Sequence, residues 1–137
     1  MAMTSLRWNY ETSNCLVACG IDAERVDRFK SYIAGDEHPM PFVFSKDEIK
    51  HIRKLANPEK GFCAAFCAKE AFFKAVSKLY NLSECELFFT GDDGWQKIKL
   101  SSGLRKDLKI DSAVAKIEFI SYPFYMECLA AVYVLKE

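Results

Sequence analysis

Apolar residues recur along this chain with two different periods, and the change falls near residue 84. "NCLVACGID" (14–22) is a short apolar run ending in Gly-Ile-Asp, which predicts a buried strand. "AERVDRFKSYIAG" (23–35) places Val26, Phe29 and Ile33 at spacings of three and four before a Gly stop, which predicts a helix. "DEHPMPF" holds two prolines and reads as a loop. "FSKDEIKHIRKLAN" opens with Ser45 and has Glu48 three residues later, a capping box, with an apolar stripe through Ile49, Ile52 and Leu55 or Ala56. Asn57-Pro58 ends that helix. "EKGFCAAFCAKEAFFKAVSKLYN" (59–81) predicts a long helix with Phe62, Phe66, Phe73 and Val76 on a buried stripe.

Beyond residue 84 the pattern shortens. "CELFFTGDDGWQKIKLS" predicts two strands around a Gly-Asp-Asp-Gly turn, and "SGLRKDLK" a short helix or a loop. "AVAKIEFISY" and "PFYMECLAAVYVL" predict two further strands. The expected architecture is α+β, a long central helix packed on a small antiparallel sheet. Residues 1–13 read as a loose arm pinned by Trp8 and Tyr10, and 14–137 as one domain.

Composition narrows the choices. Lys+Arg and Asp+Glu both number 19, so no global basic footprint for nucleic acid and no field for a membrane surface exists. The start lacks the apolar core of a signal peptide and no run spans a bilayer, so a soluble, cytoplasmic protein is expected. Six cysteines form no CxxC pair, and His38 and His51 lie far from them in sequence. They are expected to be small buried apolar residues in a reducing compartment, neither a zinc site nor a disulfide framework.

Charged residues inside the apolar runs carry the candidate chemistry. Asp22 sits where a strand is expected to give way to a helix, with Glu24 two residues on. If strand geometry persists through residue 24, both carboxylates point the same way. If helix begins at Asp22, it is an N-cap and Glu24 a first-turn acid favoured by the dipole. Phe66, Glu70 and Lys74 form one row on the long helix with Phe73 beside it, so Glu70 adjoins apolar surface and needs Lys74 or another cation as partner.

"GIDAERVDRF", "FVFSKDEI" and "FCAAFCAKEAFFKAV", in that order, resemble the 4′-phosphopantetheinyl transferase superfamily, whose signatures are an acid at a strand end and a helix of the type F/W-x-x-K-E-A/S-x-x-K. The likeness covers residues 15 to 80 well and the strand-rich remainder more loosely. A single copy matches the short, holo-acyl-carrier-protein-synthase-like branch, in which active sites lie between protomers of a trimer. "GIDAE", with its second acid two residues after the Asp, looks more like the longer, two-lobed branch.

The resemblance implies transfer of phosphopantetheine from coenzyme A to a serine of an acyl or peptidyl carrier protein, as in fatty acid biosynthesis, with release of 3′,5′-ADP. It implies Mg²⁺ held by Asp22 and Glu70, with Glu24 as a third ligand. Glu70 and Lys74 match the catalytic residues of the helix motif. Lys74, Lys69 and Ser121 match positions that meet coenzyme A, and Arg28 a position that meets the carrier protein. Phe66 is expected to pack beside the site.

Two departures stand out. The short branch has S-x-S-H near its last strands, and here Phe124 falls where the His would be; Ala65 replaces an Arg before the A-K-E. These departures keep a second reading open: a catalytically weak or inactive homologue that binds coenzyme A or a carrier protein, or partners another subunit.

Overall fold

A computed structural model describes residues 15–31, 42–78, 81–89 and 94–136. Five strands form one antiparallel sheet: β1 (Cys15–Arg25), β2 (Cys85–Leu87), β3 (Trp95–Leu100), β4 (Ser112–Ser121) and β5 (Met126–Lys136), in the order β1-β5-β4-β3-β2. Strands at the two ends of the chain are therefore neighbours, and β1 is an edge. Among the described residues three α-helices accompany the sheet: α1 (Lys46–Arg53), α2 (Pro58–Val76) and α3 (Ser102–Leu108). The expected α+β architecture, a long helix on a small antiparallel sheet, is what the chain adopts. No described helix is long and apolar enough to cross a membrane.

Helix α2 organises the core. Asn57 caps it by accepting from the Lys60 N–H at 3.1 Å, and Pro58 occupies the first turn, where its missing N–H costs nothing. Gly61 through Lys69 are all buried, because the sheet covers one side and α1 with the Val43–Phe44 segment covers the other. Each large apolar side chain sealed there contributes about 1.5–3 kcal/mol. The helix stops at Ser77, which takes left-handed geometry at φ 55°, and its neighbour Lys78 no longer continues the spiral. The expected helix over 59–81 thus ends earlier, and residues 79 and 80 lie outside the described residues.

The capping box forms as read: the Ser45 hydroxyl accepts from the Glu48 N–H at 3.1 Å while Glu48 Oε1 accepts from the Ser45 N–H at 3.3 Å. "SGLRKDLK" folds as α3, capped by Ser101. The 1–13 arm, the prolines of the 36–42 loop and most of the Gly-Asp-Asp-Gly turn lie outside the described residues.

Two expectations need correction. Residues 23–25 do not begin a helix. They continue β1, because their backbones pair with β5 as far as Arg25 opposite Glu127. The spacing of Val26 and Phe29 is satisfied by a single 3₁₀ turn over Val26–Phe29, which buries both. All six cysteines are free, but only Cys63, Cys67, Cys85 and Cys128 are buried. Cys15 and Cys19 are exposed, since the face of β1 turned away from α2 has no covering layer among the described residues.

Candidate active site

Side chains alternate along β1, so Gly20, Asp22 and Glu24 share the face turned to α2. The strand persists through residue 24, and of the two arrangements open in the sequence the paired one is formed. Asp22 caps no helix. Gly20 sets the distance between strand and helix: a Cβ there would stand 2.2 Å from the Ala71 carbonyl oxygen. The helix backbone therefore lies directly on the strand.

The two elements run in opposite directions in matched steps. Cys63 Sγ donates to the Glu24 carbonyl at 3.7 Å, Cys67 Sγ to the Asp22 carbonyl at 3.1 Å, and Ala71 meets Gly20. Four residues of helix rise about 6 Å, and two residues of strand about 6.6 Å. That near-match carries the register from one contact to the next, and Lys74, level with Gly20, reaches back along the helix to Asp22.

The Lys74 ammonium donates to Asp22 Oδ1 at 2.6 Å. Asp22 is only 9% exposed, whereas the Lys74 side chain is 56% exposed. The other oxygen, Asp22 Oδ2, is buried and has no hydrogen-bond partner among the described residues. An ionised carboxylate normally takes several donors, so an orphaned oxygen marks a place for a cation or a donor. Next to it, the half-buried Glu24 makes an ion pair with Arg28, four residues on, in the 3₁₀ turn that follows the strand. The Arg28 guanidinium also lies 5.0 Å from the centre of the Phe66 ring.

Burial pushes the Glu24 carboxyl above its ordinary pKa; the neighbouring Asp22 carboxyl pushes the same way and Arg28 opposes both. Contact with Asp22 holds the Lys74 ammonium above its ordinary pKa, with smaller help from the charges of Glu70 and Glu24. Glu70 is half-buried on α2, and among the described residues it forms no ion pair. Lys74 thus pairs across to β1, not along its own helix to Glu70.

Not every expected residue comes here. Lys69 is 1% exposed on the opposite side of α2, where its ammonium donates to Glu48 Oε1 (2.6 Å), the Val43 carbonyl (2.6 Å) and the Leu82 carbonyl (3.2 Å). All three of its donors are used, so it has none to offer a phosphate. Ser121 is exposed at the end of β4 opposite Met126, one pleat beyond the row Glu24–Cys128–Phe119. Phe124, at the position of the absent His, is 96% exposed in the turn that joins β4 to β5. Phe66 packs beside the acids as expected, 5.4 Å from Phe29.

Sequence reasoning missed the Glu24–Arg28 pair, although Glu four residues before Arg was a readable signal. It also missed Lys60, whose ammonium lies 5.1 Å from the Phe119 ring near the start of α2. Nothing local announces that contact.

Among the described residues no group of three His, Cys, Asp or Glu side chains could by itself hold a metal ion. Mg²⁺ does not require one. It is commonly bound by one or two carboxylates, with substrate phosphates and water completing the octahedron. The paired acids and the partnerless Oδ2 fit that donor set.

Solved structures resemble the chain in fold. Holo-ACP-synthase from Plasmodium yoelii is 16% identical, with 90% of this chain and 98% of that one covered, at a TM-score of 0.64. Holo-[acyl-carrier-protein] synthase from Helicobacter pylori, in complex with coenzyme A, is 20% identical over 85% and 98%, at 0.64. The holo-(acyl-carrier-protein) synthase from Bacillus anthracis, in complex with CoA (3′,5′-ADP), is 17% identical over 89% and 98%, at 0.61. No curated protein sequence matches the chain significantly. The family model described as ACPS, 4′-phosphopantetheinyl transferase superfamily, matches residues 18–118, a span that holds Asp22, Glu24, Glu70 and Lys74, and the chain belongs to that superfamily.

Proposed function

We propose that this protein transfers the 4′-phosphopantetheine arm of coenzyme A to a serine of an acyl or peptidyl carrier protein and releases 3′,5′-ADP. In that reaction a serine O–P bond forms and a pyrophosphate P–O bond breaks. The observation that carries the reading is the Asp22–Lys74 contact, with Glu24 alongside and Asp22 Oδ2 without a partner. One site thereby offers acids for a divalent cation and an ammonium for phosphate.

Asp22 and Glu24 would hold Mg²⁺, with Glu70 on the second wall; the ion would supply charge stabilisation at the pyrophosphate. Asp22 contributes a fixed carboxylate, because β1 pairing and the Gly20 contact leave it little freedom. Lys74 contributes a mobile point charge for a phosphate oxygen. Arg28 holds Glu24 in place and also offers exposed cationic surface to a carrier protein. Lys69 belongs to the helix packing, and its expected phosphate contact is dropped from this reading. Ser121 stays a candidate for coenzyme A because it ends β4 on the same face of the sheet.

The reading extends to a cytoplasmic protein that assembles, as a homotrimer or with another subunit. Exposed Leu16, Val17 and Ile21 on the edge strand support assembly. Size measurement in solution tests it, and a strict monomer would remove it.

A second reading is a coenzyme A or carrier-protein binding module with weak or no transfer. Phe124, exposed at the place of the missing His, favours it. Incubation of labelled coenzyme A and Mg²⁺ with a panel of apo carrier proteins separates the two. Labelled carrier protein supports transfer. Coenzyme A binding without labelling of any carrier supports the module.

A further inference from the structure

Lys74 and Asp22 form an unusual pair. The acid is nearly sealed and the base is mostly in solvent. Among the described residues the Lys74 ammonium has one recorded acceptor, Asp22 Oδ1. By contrast, three acceptors fix the Lys69 ammonium. Lys74 can therefore leave its seat by rotating its side chain outward, since the ammonium end of the pair already stands mostly in solvent.

Two adjacent carboxylates need positive charge between them. One ammonium meets part of that need: it reaches Oδ1, and among the described residues Oδ2 has no hydrogen-bond partner. A divalent cation bound to Oδ2 and Glu24 would bring two further charges to within a few ångström of the ammonium. At such separations like charges repel, several-fold more strongly at the effective dielectric of a protein surface than in water. The two cations compete for one carboxylate.

We propose that Lys74 is the resident counter-ion of the Asp22–Glu24 pair, and that a divalent cation displaces it. The displaced ammonium is then free for an anionic ligand bound at the same place. Metal binding and phosphate binding are coupled through the position of one side chain. A lysine that only held phosphate would have no effect on the metal when no phosphate is present. This inference rests on the proposed metal role of Asp22 and Glu24.

The test is calorimetric titration of Mn²⁺ and of Mg²⁺ into the ligand-free protein, for the parent and for Lys74→Met and Lys74→Gln. The side chain is exposed, and melting curves check that both variants stay folded. Removing the competitor should tighten divalent binding about 3- to 10-fold in both variants. A second titration, with 3′,5′-ADP at saturating Mg²⁺ and without it, should show that Mg²⁺ tightens nucleotide binding in the parent much more than in the variants. Unchanged or weaker divalent binding in both variants, with measurable binding in the parent, overturns the displacement and leaves the metal site standing. Divalent binding absent from the parent, or unaffected by Asp22→Asn, overturns the metal reading itself and this inference with it.

Discussion

Lys69 and Lys74 stand five residues apart on α2 and were both expected to serve one ligand. Each makes a 2.6 Å contact with a carboxylate. Their surroundings differ completely. Lys69 and Glu48 are both sealed, and the carboxylate also accepts from the Leu87 N–H at 2.7 Å and from the Ser45 N–H. That network ties α1, α2 and β2 together. Lys74 reaches across the open side of α2 to an acid with a spare oxygen. A fully satisfied ion pair specifies a fold, and an incompletely satisfied one leaves capacity for a ligand.

The sharpest way to break this comparison is to remove Lys69. Lys69→Ala leaves the Glu48 carboxylate buried without its cation and should cost about 3–5 kcal/mol. Thermal melting should fall by roughly ten degrees or more. Adding Glu48→Gln should recover part of the loss, because the buried charge is gone while an amide oxygen can still accept from Leu87. A Lys69→Ala melting curve like the parent's would put Lys69 back among the residues available to a ligand.

Gly20→Ala tests the contact that aligns the two walls. The new methyl meets the Ala71 carbonyl, so α2 must move off the strand, at a cost of about 1–3 kcal/mol or more. Coenzyme A binding should weaken beyond what the lost stability explains. Normal binding would show that the strand–helix spacing does not set the site.

Lys74→Met is the counterpart to Lys69→Ala. It also leaves an acid without its cation, but the open side of the pair lets water reach Asp22 Oδ1, so the loss of stability should be clearly smaller than for Lys69→Ala. Transfer to a carrier protein should drop about 10²-fold or more if the ammonium meets developing charge at the phosphate. A large fall in melting temperature would mean that the two lysines play the same role.

The smallest effect concerns Glu24. Its folded-state pKa is raised by burial and by Asp22 above the ordinary 4.5. The folded protein therefore holds this proton more tightly than the unfolded chain. The resulting stability is full below about pH 4.5 and is lost as pH rises through the raised value. Without divalent ions, the parent should lose stability relative to Glu24→Gln as pH rises from the ordinary carboxyl value of 4.5 through the raised folded-state value. Parallel melting curves for the two proteins would deny that the carboxyl is strained.

Local signals were legible and long-range ones were not. The Ser45–Glu48 box and the apolar stripe of α2 are properties of neighbouring residues, and each formed; Asn57-Pro58 opens α2 as its cap and first turn, whereas α1 had already ended at Arg53, short of the expected stop. Asp22 and Glu70 were singled out as acids in apolar runs, and the resemblance joined them to Lys74. The helix expected at 23–25 failed because β5, a hundred residues later, supplies pairing that outweighs helical spacing in so short a segment. Lys69 was misassigned because its partner Glu48 already had a complete local explanation as a cap. Nothing in the sequence shows that the same carboxylate turns inward to a second helix. Cys15 and Cys19 were expected inside because alternation alone does not reveal that one face of an edge strand is left open.

Binding of coenzyme A with and without Mg²⁺, compared between the parent and Asp22→Asn, tests the central claim most directly. The account predicts that Mg²⁺ tightens binding to the parent and leaves the variant unaffected, with both proteins folded. Equal tightening in the two proteins would contradict it.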